Sequence, residues 1–248
     1  MNPPIRTVWL LGFIASLAVL SFGVWFQVSL AQHWTRPHTM PYGVKNPVLA
    51  MQMAKPPWPV EMLTPGQNMA EMTRQQYIDF GYIPSYTALF ICIAILQWRS
   101  DRRWIAALAP VCFVLTLIAA GFDVAENFAI LGVTERHNPT AWASIRPHSL
   151  VKWACAFLVI LLQNPFYLSL TEGFATLRGW LAGILANVAL IAGLFGFFSS
   201  IVGSGWGIEW ATLGLLVSML IMPPFLWLGS RAPGPGRFRI SPPSRHQE

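Results

Sequence analysis

Two carboxylates and an amide interrupt an apolar run, Ala119-Ala-Gly-Phe-Asp-Val-Ala-Glu-Asn-Phe-Ala-Ile-Leu131. An ionisable side chain at the centre of a membrane helix costs about 2.5–3.5 kcal/mol on insertion scales, so Asp123 and Glu126 need a partner, water or a function. Glu126 and Asn127 follow Asp123 at helical spacings, which puts all three side chains on one face of a helix. The run therefore predicts a single polar site inside a membrane-spanning helix.

The composition of the 248 residues is that of a membrane protein, with 54% hydrophobic and 10% charged residues. Soluble domains have about 25% charged residues. Six segments reach or approach the roughly 20 apolar residues that cross a bilayer. A spanning helix satisfies its own backbone hydrogen bonds, so we expect an all-α polytopic membrane bundle of about six transmembrane helices. The predicted spans are 8–31, 77–98, 104–133, 150–170, 180–198 and 208–228.

We expect one bundle domain over residues 1–230. The connection 32–76 has seven prolines and is unusually long, which favours a cap over one end of the bundle. Residues 231–248 have four arginines and four prolines and predict a disordered cytoplasmic tail. The first span is either a retained anchor or a cleaved signal, and its length favours an anchor.

Arginines at one connection predict the orientation of the bundle. Arg99, Arg102 and Arg103 lie in the short connection after the second predicted span, and such clusters remain on the cytoplasmic side. Both termini are then cytoplasmic, and the uncharged connection 199–207 is outside. We expect a multi-pass protein of the plasma (inner) membrane. The net charge of +6 belongs largely to helix ends, so no nucleic-acid partner is expected.

This orientation brings further polar residues to the depth of Asp123 and Glu126, near the outer face. Asp79, Tyr82 and Tyr86 recur at helical spacing and form a polar stripe. Lys152 begins the fourth predicted span and is a candidate ion-pair partner for either acid. The predicted ligand-binding set is Asp79, Tyr82, Tyr86, Asp123, Glu126, Asn127 and Lys152. A purely structural ion pair of Lys152 with Asp123 or Glu126 is the alternative.

Other chemistry is less well supported by the sequence. His148 and His137 are weak metal candidates, but the D-x-x-E spacing lacks the paired histidines of a specific site, so no metal is expected. Glu126 and Asp123 are the candidates for a catalytic general base. No G-x-S-x-G or phosphate-binding glycine loop is present, and no cofactor can be identified.

Two motifs, Tyr77-Ile-Asp-Phe-Gly-Tyr-Ile-Pro-Ser-Tyr86 and Gly121-Phe-Asp-Val-Ala-Glu-Asn127, resemble a family of bacterial multi-pass membrane proteins without an assigned activity. The resemblance covers residues 45–165, and D-x-x-E-N within an apolar helix is its most specific part. It implies that Asp79, Asp123, Glu126 and Asn127 belong together. It implies no particular reaction.

The sequence favours a non-catalytic function at an outward-facing acidic site. The protein would bind a small cationic or lipid-derived ligand, or serve as an accessory subunit of a membrane complex. The competing hypothesis is a membrane hydrolase or transferase, metal-dependent or not, that acts on a lipid. The lipid bilayer is the expected partner. The sequence does not decide whether the protein also binds other membrane subunits. A secondary transporter is disfavoured because no internal repeat or paired broken helices are evident.

Overall fold

The computed structural model describes residues 4–35, 44–53, 63, 66–136, 138–171 and 175–231. Their helices, in chain order, are α1 (Ile5–His33), α2 (Pro47–Met53), α3 (Asn68–Trp98), α4 (Arg103–Thr134), α5 (Trp142–Ser169), α6 (Leu177–Val202) and α7 (Gly205–Arg231). A 3-10 turn, Pro139–Ala141, precedes α5.

Six of these helices, all except the short α2, are long and apolar enough to cross a membrane. The prediction of an all-α bundle of about six membrane-spanning helices is confirmed. The connection between α6 and α7 shows how tightly consecutive spans can be joined. Gly203 adopts a left-handed conformation with φ of 71°, which a residue with a side chain rarely adopts, and α7 begins two residues later.

The helices extend beyond the predicted spans at three places in the chain. The third helix, α3, begins at Asn68 instead of residue 77, and α5 begins at Trp142 instead of residue 150. The predicted connection 199–207 is helical except at residues 203 and 204. Apolar runs mark where a chain enters hydrocarbon, whereas helices continue beyond that point wherever polar side chains find partners.

The six long helices form a closed ring in which each helix packs on the next. The order is α1, α3, α4, α5, α6 and α7, and α7 returns to α1. The short helix α2 packs on α5 and α7. Close approach is achieved with glycine at several crossings: a side chain at Gly196 of α6 would collide with the Phe157 ring of α5.

Side-chain contacts identify the helix ends that lie together. Ser29 near the end of α1 contacts Glu71 near the start of α3, and Arg146 near the start of α5 contacts the carbonyl of Gly203 after α6. We call this end, where α1, α4 and α6 end and α3, α5 and α7 begin, the site end. Of the tail predicted over 231–248, only Arg231 lies within the described residues, as the last residue of α7.

Candidate functional site

Lys152 lies at the centre of a buried ion cluster between α4 and α5. Its Nζ atom is 2.8 Å from Asp123 Oδ1 and 2.8 Å from Glu126 Oε1. The sequence placed Lys152 at the start of a span, but α5 begins ten residues earlier, so the lysine lies well inside the helix. The structural pairing considered above is therefore present, and it involves both acids.

The second oxygen of Asp123 is also occupied. Tyr86 on α3 donates its hydroxyl to Asp123 Oδ2 at 2.8 Å, so one carboxylate joins three helices. Tyr82, one turn earlier, makes no such bond. Its ring packs on Tyr86 at 5.5 Å and on Phe26 of α1 at 5.8 Å. Tyr82 thus contributes an aromatic surface beside the acids.

Glu126 is supported by a residue that the sequence did not indicate. Gln52 of α2 donates its amide to Glu126 Oε1 at 2.5 Å and accepts a hydrogen bond from Trp153 Nε1 at 3.2 Å. The other oxygen, Oε2, is buried without a hydrogen-bond partner. Gln52 is 74 residues from Glu126 in a proline-rich connection, so no local pattern could have identified it.

Asp79 is connected to this cluster through an amide. Asn127 donates its Nδ2 to Asp79 Oδ2 at 2.8 Å, and Asn127 itself is fully buried. Asp79 is only half-buried. Within the described ranges, the salt bridges of the cluster join Lys152 to Asp123 and Glu126, and none includes Asp79. The cluster therefore combines three carboxylates with one ammonium group.

A cavity of about 1260 Å³ lies inside the ring beside this cluster. The predicted ligand-binding set divides at the cavity wall. Five of its members line the cavity, namely Asp79, Tyr82, Tyr86, Asp123 and Lys152, whereas Glu126 and Asn127 lie behind the wall. Of the two acids that pair with Lys152, it is Asp123 that reaches the cavity.

Residues 44–53, from the connection that was predicted to form a cap, lie against the cavity at the site end. Glu209 near the start of α7 accepts the backbone N–H of Lys45 at 2.8 Å and that of Asn46 at 2.6 Å. Val44 to Leu49, together with Gln52, line the cavity. Glu209 thus anchors this segment.

His148, a described candidate for a metal ligand, is not grouped with the acids in a metal centre. His148 packs its ring on Phe122 with 5.8 Å between centroids, and its Nδ1 is buried without a partner. Among the residues that the structure describes, no three His, Cys, Asp or Glu side chains are grouped so as to hold a metal ion. His137 lies outside the described residues.

Another buried acid, Glu71, lies outside this cluster and joins α1 to α3. Glu71 accepts hydrogen bonds from Ser29 and Gln75, both at 2.6 Å, and Arg74 lies 3.2 Å away. Glu71 falls within the connection 32–76 that the sequence predicts before the second span. The carboxylate is satisfied by these partners, which lets α3 begin before the apolar run.

Comparisons with protein-family models, with curated proteins and with solved structures find no match.

Proposed function

We propose that this chain is an integral protein of the plasma (inner) membrane that binds a ligand with a cationic group in its internal cavity. The observation that supports this proposal is the charge of the buried cluster beside the cavity. Three carboxylates share one ammonium group, and two of those carboxylates, Asp79 and Asp123, line the cavity. The positive-inside orientation places this wall toward the outer face of the membrane.

The cluster has more carboxylates than ammonium groups, and this difference matters because the cluster lies away from water. Buried charges are tolerated when they are paired, and an unpaired one is costly. Lys152 is paired with Asp123 and Glu126, which leaves Asp79 with an amide hydrogen bond only. A ligand ammonium group at Asp79 would supply the second positive charge. The Tyr82 ring beside it provides an aromatic surface on which a cation can also be stabilised.

A binding function fits the acids better than general-base catalysis. A general base must reach the proton that it removes. Glu126 does not line the cavity, and both oxygens of Asp123 already accept hydrogen bonds, from Lys152 and Tyr86. Asp79 is the carboxylate with room for a new partner. A role as an accessory subunit would require a protein-binding surface, for which the cavity offers no support.

Binding can be measured with butylammonium as the probe and butyrate as its anionic counterpart. We expect saturation-transfer NMR on the full-length protein in detergent to detect butylammonium and not butyrate. Asp79→Asn keeps the hydrogen-bonding shape and removes the charge, so it should weaken butylammonium binding about 10-fold or more, because hydrogen bonds to charged groups contribute about 1.5–3 kcal/mol.

Asp101→Asn provides the matched control. Asp101 is an exposed carboxylate in the connection between α3 and α4, at the opposite end of the bundle, and its loss should leave binding unchanged. Equal binding of butyrate, or butylammonium binding that is indifferent to Asp79→Asn, would contradict the proposed function.

A further inference from the structure

We infer that the ligand is a single-chain amphiphile with a cationic head group, and that it reaches the cavity sideways from the bilayer, between α1 and α7. This inference rests on the proposed function and adds the chemical class of the ligand and its route. It follows from where α1 and α7 touch, from what covers the site end, and from the distribution of polar groups in the cavity.

The helices α1 and α7 pack tightly away from the site end. Trp9 contacts Phe225 with 5.5 Å between ring centroids, and Phe13 contacts Trp227 at 5.2 Å. A Cβ atom on Gly229 would collide with the Trp9 ring, so the two backbones are close there. Nearer the site end, a Cβ atom at Gly23 would lie 3.7 Å from Met219 Sδ.

Between Gly23 and the site end, both helices form the cavity wall. Phe26, Gln27 and Leu30 contribute from α1, and Trp210, Leu213 and Leu216 contribute from α7. Leu213 and Leu216 line the cavity and yet keep 46% and 41% of their surface exposed. A lateral opening at this place requires such exposed side chains on the cavity wall between α1 and α7.

Contacts with other neighbours hold the two helices along this stretch. Phe26 of α1 packs on Tyr82 of α3, with 5.8 Å between ring centroids. Trp206 of α7 packs on Phe195 of α6 at 6.2 Å. A Cβ atom on Gly214 of α7 would lie 2.7 Å from the Cβ of Ala192 on α6. Along this stretch α1 and α7 are therefore held by their other neighbours, α3 and α6, and an opening between α1 and α7 is compatible with the packing of the ring.

The site end is covered, which makes the side the more open route. Glu209 holds the backbone of Lys45 and Asn46 against the start of α7, and residues 44–49 line the cavity there. A Cβ atom on Gly205 would lie within 3.2 Å of Val44 and Met53, so this segment packs closely on α7. A molecule dissolved in the bilayer would meet the opening between α1 and α7 directly.

The cavity has charged groups beside the buried cluster and at the site end, and a long apolar surface between its other walls. Asp79, Asp123 and Lys152 provide the charges at the cluster, Lys45 and Glu209 provide those at the site end, and Leu89, Ile160 and Leu185 belong to the apolar surface. The cavity has a volume of about 1260 Å³. This is larger than most small-molecule pockets, which have volumes of about 300–1,000 Å³. An ammonium head at Asp79 with a hydrocarbon chain along the apolar wall matches this distribution of charge and surface.

The test uses a dodecylammonium that carries a photoreactive diazirine in its chain, incorporated in phosphatidylcholine vesicles with the full-length protein. After irradiation, mass spectrometry locates the labelled residues. We expect labels on the wall between α1 and α7, at Phe26, Leu213 and Leu216. Leu216→Trp should fill the opening and abolish this labelling. Ile191→Trp is the matched control, because Ile191 of α6 is 69% exposed and does not line the cavity.

The outcomes separate this inference from the proposed function. Labels on the wall that are lost in Asp79→Asn support both. Labels confined to outer surfaces such as Ile191, with butylammonium binding still dependent on Asp79, would overturn the lateral route and leave the proposed function intact. Labels on the wall that persist in Asp79→Asn would support the binding of a hydrocarbon chain between α1 and α7. They would overturn the proposal that Asp79 binds the cationic head group.

Discussion

At the scale of single residues, Lys152 determines whether the polar cluster can be buried at all. It is the shared partner of Asp123 and Glu126, and it also lies 5.2 Å from the centre of the Trp153 ring. Each acid has one further donor, Tyr86 for Asp123 and Gln52 for Glu126. These donors help to satisfy the carboxylates, but neither of them carries a compensating charge.

Replacing the lysine should therefore destabilise the fold strongly. Lys152→Met leaves two buried carboxylates without a counter-ion, and we expect the free energy of unfolding to fall by about 3–5 kcal/mol. Asp123→Asn or Glu126→Gln alone should lower the free energy of unfolding by less, because Lys152 remains paired with the other carboxylate. Denaturant unfolding of the detergent-solubilised protein measures these differences.

Two comparisons complete this experiment. Lys45→Met removes an exposed lysine whose hydrogen bond to Glu209 is made by its backbone N–H, so stability should be unchanged. Lys152→Met combined with Asp123→Asn and Glu126→Gln should recover most of the lost stability. If the triple variant unfolds as easily as Lys152→Met alone, charge pairing is not what Lys152 provides.

At the scale of helices, small residues set how closely α5 and α6 approach. A Cβ atom on Gly196 would lie 2.5 Å from the ring of Phe157, which is fully buried. Packed interiors tolerate added atoms poorly because their neighbours have nowhere to move. This crossing forms part of the ring that encloses the cavity, so its geometry also affects the site.

Gly196→Ala should lower the free energy of unfolding by about 1–3 kcal/mol through overpacking against Phe157. Gly121→Ala on α4 is the matched control, since nothing lies within 4 Å of its added Cβ. Alanine favours helix by up to about 1 kcal/mol relative to glycine, so this variant should be neutral or slightly stabilised. Unfolding curves recorded under identical conditions give both values, and equal losses in the two variants would contradict the packing argument.

The attachment of residues 44–53 to α7 depends on one carboxylate. Glu209 accepts both the Lys45 and the Asn46 N–H groups, so Glu209→Ala should release this segment and accelerate tryptic cleavage after Lys45. Glu135→Ala removes another acid near the site end, the acceptor of the Tyr77 hydroxyl, and should not alter this cleavage. Mass spectrometry of timed digests follows the specific bond. Rapid cleavage in the unsubstituted protein would show that Glu209 does not hold the segment.

At the scale of the whole molecule, the ring is a set of spans that alternate in direction around an internal cavity. Lys45 lies at the site end, and Asp101 lies at the opposite end between α3 and α4. The cluster of Arg99, Arg102 and Arg103 predicts that the Asp101 end is cytoplasmic. The orientation therefore determines from which face of the membrane the polar cluster is approached.

Cysteine labelling in intact cells can measure the orientation. Lys45→Cys should react with a membrane-impermeant maleimide from outside, and Asp101→Cys should react only after permeabilisation. Both positions are exposed, and the unsubstituted protein, whose Cys92, Cys112 and Cys155 lie within the spans, gives the background. The reverse pattern would place the cavity wall with Asp79 toward the cytoplasm.

The sequence by itself determined the membrane-spanning helices and the shared face of Asp123, Glu126 and Asn127. These features depend on hydrophobicity along the chain and on the 3.6-residue period of a helix, which are local. Tertiary structure alone decided that Gln52 supports Glu126, that Glu71 is buried, and that Asp123 rather than Glu126 reaches the cavity. The physical reason is that helix rotation and long-range partners are selected by packing between distant segments, and no local pattern in the chain encodes them.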